Sequence, residues 1–302
     1  MRHAKVIINP VAGAYSTRRK WSRISRLLKY AGLSFDYEYT EGVGHAIELA
    51  RVAASDGYRC IVAVGGDGTV NEIANGILRS SRPTETSLGV VSTGTGSDFA
   101  RSAGIPRDYT SACSLLVSSR RRLIDVGVVE FRGKGQTLQR FFLNVAGVGF
   151  DAVVVEATEK VPKYLGGTIP YLGGLFRSLL SYRNKLVTLN VEGRVEAKRI
   201  LNVVVANGSY VGGGMHIAPR AELGDGLLDV VIIGDVGKFE LLKALPMVYK
   251  GTHINHPKVT VEQVTHISIE SSERVLVYAD GELLGECPSS FWLMPAALRI
   301  VV

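Results

Sequence analysis

The residues able to do chemistry in this chain sit in short loops, and the densest is Gly65-Gly66-Asp67-Gly68-Thr69. It follows the apolar, β-branched run Ile61–Val64, which reads as a buried strand. A helical pattern follows it, with Val70, Ile73 and Ile77 on one face and Asn75 and Gly76 as weak points. Glycines let the backbone take positive φ and approach a ligand closely. A helix N-terminus adds free N–H groups and a positive dipole end, so the turn suits a phosphate. Asp67 would repel that phosphate unless a cation lay between them. A turn carrying both functions points to Mg²⁺ and a nucleoside triphosphate. The plain alternative is a tight strand-to-helix turn with a solvated aspartate, since short glycine motifs recur by chance.

Three other polar loops share its setting. Asn9-Pro10 and Val11-Ala12-Gly13 follow the run Val6–Ile8, Thr40 ends the run Phe35–Tyr39, and Ser92 to Phe99, with Thr95 at its middle, follows Leu88–Val91. Helical patterns separate the runs. One starts at Ser16 as N-cap, carries Trp21, Ile24, Leu27 and Leu28, and stops at Gly32; another spans His45–Ser55, with Gly57 beyond it. Shorter ones cover Asp98–Ala103 and Tyr109–Val117 and lead to Leu123–Gly127. This alternation predicts an α/β domain, a parallel sheet with helices on both faces, over residues 1–126. In such sheets ligands sit beyond the strand C-terminal ends, where all four loops collect.

Beyond Val126 the pattern changes to many short strands, which predicts a mainly antiparallel β-sandwich over residues 127–295. The apolar segment 296–302 is expected to pack back onto the first domain. Within the second domain, Tyr164–Ser181 is apolar on nearly every side, either a helix packed on the sheet or a lip for a greasy substrate or a membrane surface. Glycine-rich stretches follow at Asn207–Gly214 and Glu222–Leu227, the latter a surface turn on its spacing alone. A helix at Lys238–Tyr249 contains Pro246, which is expected to kink it. Asp280-Gly281 is a strong hairpin signal. The carboxylates Asp280 and Glu282 flank Gly281, and a phosphoryl-transfer site needs one group to take the acceptor's proton. Spacing does not choose between the two.

The composition, 46% hydrophobic and 21% charged, is that of a globular protein, and the formal charge of +7 favours anionic partners. The clusters Arg18-Arg19-Lys20 and Arg120-Arg121-Arg122 read as solvated faces, and nothing points to nucleic acid. Three well-separated cysteines show no metal or disulfide spacing, which suits a reducing compartment. No signal-peptide core and no run of 18 apolar residues is present, so a cytoplasmic protein that does not span a membrane is expected, and the resemblance named below implies peripheral association with one. Oligomeric state is left open, a homodimer included.

Taken together, these motifs resemble the diacylglycerol kinase catalytic-domain superfamily, specifically its soluble bacterial lipid kinases. The resemblance spans essentially the whole chain. It is carried by Asn9 to Gly13, Gly65 to Glu72, Gly94-Thr95 with Asp98 to Arg101, and Asp280 to Glu282. It implies an ATP- and Mg²⁺-dependent kinase acting on a lipid hydroxyl, most simply diacylglycerol, at an acidic membrane surface, with the active site in an interdomain cleft. Asn9, Pro10, Val11, Ala12, Gly13, Thr40, Gly65, Gly66, Asp67, Gly68, Thr69, Val70, Asn71 and Thr95 would contact ATP, with Asp98 and Asp125 beside them. Asp67 would hold the catalytic Mg²⁺. A second, structural Mg²⁺ would sit on Glu222, Asp225 and Leu227, and the general base would be in the Asp280–Glu282 turn. Ser92 and Ser97 depart from the family's proline and asparagine. The glycine turn is shared with NAD kinases, so an NAD kinase-like enzyme is one rival reading and a non-catalytic lipid-binding protein is another.

Overall fold

Two units make up the chain: residues 1–126 with 295–302, and residues 127–294. The structure is a computed structural model that describes residues 3–118, 120–159, 179 and 181–302. The expected apolar helix at Tyr164–Ser181 lies outside the described residues, apart from positions 179 and 181.

In the first unit, β1 (His3–Ile8), β2 (Ser34–Tyr39), β3 (Cys60–Gly65) and β4 (Ser87–Ser92) form a parallel sheet. The end of β15 (Glu282–Val301) joins it beside β4, also parallel, through Arg299 and Ile300. The order β2-β1-β3-β4-β15 puts the fully buried β3 near the centre. Between the strands run α1 (Ser16–Tyr30), α2 (His45–Ser55), α3 (Asp67–Leu78), α4 (Asp98–Ala103) and α5 (Tyr109–Leu115). Trp21, Ile24 and Leu28 of α1 and Ala112 and Cys113 of α5 share a core with Val6, Ile8, Val62 and Val64.

The N-cap expected at Ser16 falls one residue earlier. Gly13, Ala14 and Tyr15 are all left-handed (φ 57°, 51° and 64°), so Tyr15 occupies the cap position without a side-chain bond. Ser16 Oγ instead donates to the Thr93 carbonyl at 3.4 Å. Gly76, a weak point by helix propensity, has a packing reason. A Cβ there would lie 2.3 Å from the Ile47 carbonyl oxygen and 2.7 Å from Ala50 Cβ, both on α2. Alanine at position 76 is therefore expected to lower stability by about 1–3 kcal/mol through overpacking, read as a lower midpoint in chemical denaturation.

The second unit is antiparallel. One sheet runs β12 (Val259–Val264), β11 (Leu228–Ile233), β10 (Asn202–Ala206), β7 (Val145–Gly149), β14 (Leu276–Ala279) and β15. Pairing continues from β15 to β13 (His266–Glu270), β8 (Lys185–Val191) and β9 (Arg194–Ile200), and from β15 to β5 (Arg121–Gly133) and β6 (Gln136–Phe142). Alternate residues from these strands fill one core, including Val129, Phe142, Val148, Leu189, Val203, Val230, Ile267, Val277 and Phe291. That is the sandwich arrangement, inner faces interdigitated. The opposite face of β10 and β11 carries a second core, covered by α6 (Phe150–Glu159) and α7 (Lys238–Lys250). The helix α7 runs as one 13-residue element through Pro246.

Candidate active site

The four loops at the strand C-terminal ends of the first unit are bonded into one cradle. The strand order reverses between β1 and β3, the position where open α/β sheets place their ligand crevice. Across that gap Asn9 Nδ2 donates to Thr69 Oγ1 at 3.0 Å, and the Asn9 N–H donates to the Val64 carbonyl at 3.0 Å. Asn9 Oδ1 accepts from the Val11 N–H at 3.2 Å, fixing the loop Asn9 to Gly13. The Thr93 N–H donates to the Gly65 carbonyl at 2.8 Å, and the hydroxyls of Thr17 and Thr93 bond at 2.6 Å. Thr40 is held at the end of β2 by its N–H on the Ile8 carbonyl.

Two glycines are fixed by contact. A Cβ on Gly94 would lie 2.7 Å from Gly66 Cα, and one on Gly13 would lie 2.4 Å from the Thr93 carbonyl oxygen. Gly68 and Thr95 are exposed at the rim, and a Cβ on Gly68 would meet nothing. The side chains of Val70 and Asn71 point inward instead: Val70 is buried, and Asn71 Oδ1 accepts from Asn75 Nδ2 at 3.1 Å.

Asp67 opens α3 and is partly buried. Its Oδ1 accepts the Phe99 N–H at 3.0 Å, which ties the glycine turn to α4. Burial pushes its carboxyl up, while the N–H groups of Phe99, Ser97 and Asp98 pull it partly back. Asp98 is buried, with Arg101 Nε 4.0 Å from its Oδ1. Ser97, where the family has asparagine, is left-handed (φ 55°), a conformation that asparagine tolerates better. Asp125 has a different employment. Its Oδ1 accepts the N–H of Ala296 at 2.7 Å, so this carboxylate holds the returning C-terminal strand.

In the second unit the two carboxylates of the Asp280–Glu282 turn are separated by their partners. Asp280 (φ 45°) and Gly281 (φ 80°) form the left-handed corner between β14 and β15. Asp280 Oδ2 accepts the Leu143 N–H at 2.7 Å, and its Oδ1 accepts the Asn144 and Val145 N–H groups at 3.0 Å each. That carboxylate organises the approach to β7. Glu282 is 43% exposed at its side chain and has one oxygen on Arg140, Nη2 to Oε2 at 2.5 Å. Alanine at position 280 strands three backbone donors and is expected to cost about 3 kcal/mol or more of stability, measured by denaturant unfolding.

The Glu222–Leu227 segment is a surface turn in which Asp225 Oδ1 accepts the Leu227 N–H at 3.0 Å. Beneath it Asp229 is buried, its carboxyl pushed up first by burial and further by the negative charges of Asp225 and Glu222. Its Oδ1 has no hydrogen-bond partner among the described residues. Carboxylates and backbone carbonyls are the hard oxygen donors that Mg²⁺ takes, and a cation here would relieve the crowding of charge. Among the described residues no three His, Cys, Asp or Glu side chains converge as a metal cage.

Some supporting residues were given no role by the sequence reading. Glu72 accepts the N–H groups of Gly44 and Ala46 (3.0 and 3.2 Å) and so caps α2 from α3. Thr17 and Thr93 lock the first and fourth loops. In the second unit Asp151 Oδ2 accepts from Asn202 Nδ2 at 2.6 Å and Tyr278 Oη at 3.2 Å. Each depends on a partner distant in the chain; only the placement of Glu72 in a helix beside the glycine turn hinted at a role.

The chain is thus a two-unit protein, a parallel α/β unit with a glycine-lined cradle at its strand ends followed by an antiparallel sandwich. The family model described as the diacylglycerol kinase catalytic domain matches residues 3–129, and that of the YegS C-terminal NAD kinase beta sandwich-like domain matches residues 144–302. A relative from Bacillus subtilis named diacylglycerol kinase is 31% identical over 100% of this chain and 97% of its own. Another, from Staphylococcus carnosus, is 28% identical over 96% of this chain and 92% of its own. The chain belongs to the diacylglycerol kinase catalytic-domain family, and so is a kinase. Among solved structures, a putative diacylglycerol kinase from Bacillus anthracis shares the fold at a TM-score of 0.81 and 23% identity, covering 99% of this chain and 95% of that one. A yeast NADH kinase shares it more distantly, at a TM-score of 0.54 and 9% identity, covering 99% of this chain and 82% of that one.

Proposed function

We propose that this chain transfers the γ-phosphate of ATP to a lipid hydroxyl, with diacylglycerol as acceptor, in a Mg²⁺-dependent reaction at the cytoplasmic face of an anionic membrane. The names of its relatives support the acceptor class. The observation that carries the reading is the cradle: Asn9, Gly13, Gly65, Gly66, Thr93 and Gly94 are bonded or packed together around the N-terminus of α3, with Asp67 at its first position.

Side chains at Gly13 and Gly94 would collide with the neighbouring loop, so the backbones draw close and leave a bare polar surface for phosphates. One carboxylate with phosphate oxygens is the usual ligand set for Mg²⁺, and a cation beside Asp67 would offset the burial that raises its carboxyl. ATP supplies the phosphoryl group, and a Mg²⁺ held by Asp67 would neutralise charge on its phosphates. The chain's own work is then positional. The loop Asn9 to Gly13 and the turn Gly65 to Thr69 orient the triphosphate, Thr40 and Thr95 border it, and Glu282 accepts the proton of the lipid hydroxyl. Asp280, with three N–H groups on its carboxylate, shapes the corner that presents Glu282. Asp225, with the carbonyls of Glu222 and Leu227, would hold a structural Mg²⁺ away from the chemistry.

Labelled ATP, Mg²⁺ and diacylglycerol in mixed micelles should yield labelled phosphatidic acid. Transfer to NAD instead, or to no acceptor, overturns the assignment.

A further inference from the structure

The outer face of α7 is apolar where a solvated helix face would be polar. The inner side is committed to the fold: Val248 belongs to one core and Leu241 packs against another. On the outside Phe239 is 84% exposed, Leu242 41% and Tyr249 53%, and Pro246 is exposed between them. Their spacing of three, four and three residues lays them along one stripe. Lys238, Lys243 and Lys250 are exposed on the same side. Among the described residues neither Lys243 nor Lys250 has an ion-pair partner. Glu240, the helix's one acid, is turned to the flank, where it accepts the Gly237 N–H at 3.1 Å and Lys258 Nζ at 2.8 Å and lies 3.3 Å from His256 Nε2.

A stripe of aromatic and aliphatic side chains bordered by lysines, with no acid facing outward, matches a helix lying in a lipid headgroup layer. There the rings enter the headgroup–acyl boundary and the ammonium groups meet lipid phosphates. A second copy of the chain is a poorer occupant, because two-fold pairing would bring the lysines of one helix against those of the other.

We propose that the outer face of α7 docks this protein on an anionic bilayer, through Phe239, Leu242 and Tyr249 with Lys238, Lys243 and Lys250. The choice of a bilayer as occupant rests on the lipid-kinase reading, but docking is measured separately from turnover. The experiment is co-sedimentation with phosphatidylcholine vesicles, with and without phosphatidylglycerol, at low and high salt. The parent protein, Phe239→Ser/Leu242→Ser and Lys243→Glu/Lys250→Glu are compared, each also assayed for transfer to a short-chain diacylglycerol in detergent micelles.

The parent should bind the anionic vesicles and lose binding with added salt. The apolar pair should lose about tenfold or more in affinity. The lysine pair should lose at least about tenfold on anionic vesicles and little on neutral ones. Transfer to the micellar substrate should stay at the parent level in both variants. Vesicle binding unchanged in both variants overturns the proposal. So does a parent dimer that the apolar pair converts to monomer while vesicle binding persists, which would mean that a second copy covers the face. Binding with these sensitivities but no transfer to micellar lipid upholds the docking face and overturns the reading of diacylglycerol as acceptor.

Discussion

Asp67→Asn is expected to lower phosphate transfer by about 10²–10³-fold, the loss typical of removing one electrostatic contact to the reacting phosphates. Asparagine keeps an oxygen for the Phe99 N–H, so the link from the glycine turn to α4 survives and only the charge goes. The fold should not suffer. Burial holds the Asp67 carboxyl above its ordinary value. A group raised in the folded state contributes stability that is fully present below its unfolded pKa and is lost as pH rises through the folded one. As pH rises past the ordinary carboxylate range the parent therefore loses stability to this poorly solvated group, and the variant does not. Thermal unfolding at neutral pH should give an equal or higher midpoint for Asp67→Asn, with transfer lost. Undiminished turnover would remove the metal-holding role.

Glu282→Gln is the second large effect, a fall of about 10²–10⁴-fold in transfer, the range for loss of a positioned proton acceptor. Glutamine is close to glutamate in shape and retains a carbonyl oxygen for Arg140, which matters because Arg140 Nε is buried without a partner among the described residues. ATP binding, followed by calorimetry, should be unchanged, since the loops proposed to hold the nucleotide belong to the first unit. Transfer at the parent rate in Glu282→Gln would return the base to another residue. Asp280 is the weaker claimant, because its lone pairs already serve three backbone donors.

The parts of this molecule that could be read from the sequence are those whose causes are local. The fully buried β3, its glycine turn and the periodic face of α3 lie within 20 residues, and each advertises itself by type and spacing. The antiparallel character of the second half was visible in short alternating runs. What stayed hidden depends on partners brought close by folding. Asp125 meets Ala296, Asp280 meets Leu143 to Val145, and Glu72 meets Gly44 and Ala46. No periodicity announces such meetings, so two carboxylates flanking a glycine looked equivalent until their neighbours distinguished them. Strand β15 was hidden for another reason. Pro288 and Pro295 lie inside its 20 residues, and proline normally argues against an uninterrupted strand.

That last strand also sets the order in which the protein can be completed. Its final residues lie alongside β4, so the first unit borrows an outer strand translated after the whole sandwich has been made. A chain emerging from the ribosome would carry the parallel sheet with one flank bare until the sandwich has been translated, open to pairing with a neighbouring nascent chain. The half that is made first is thus closed only after the second has been translated, and its protection against misassembly is deferred until then.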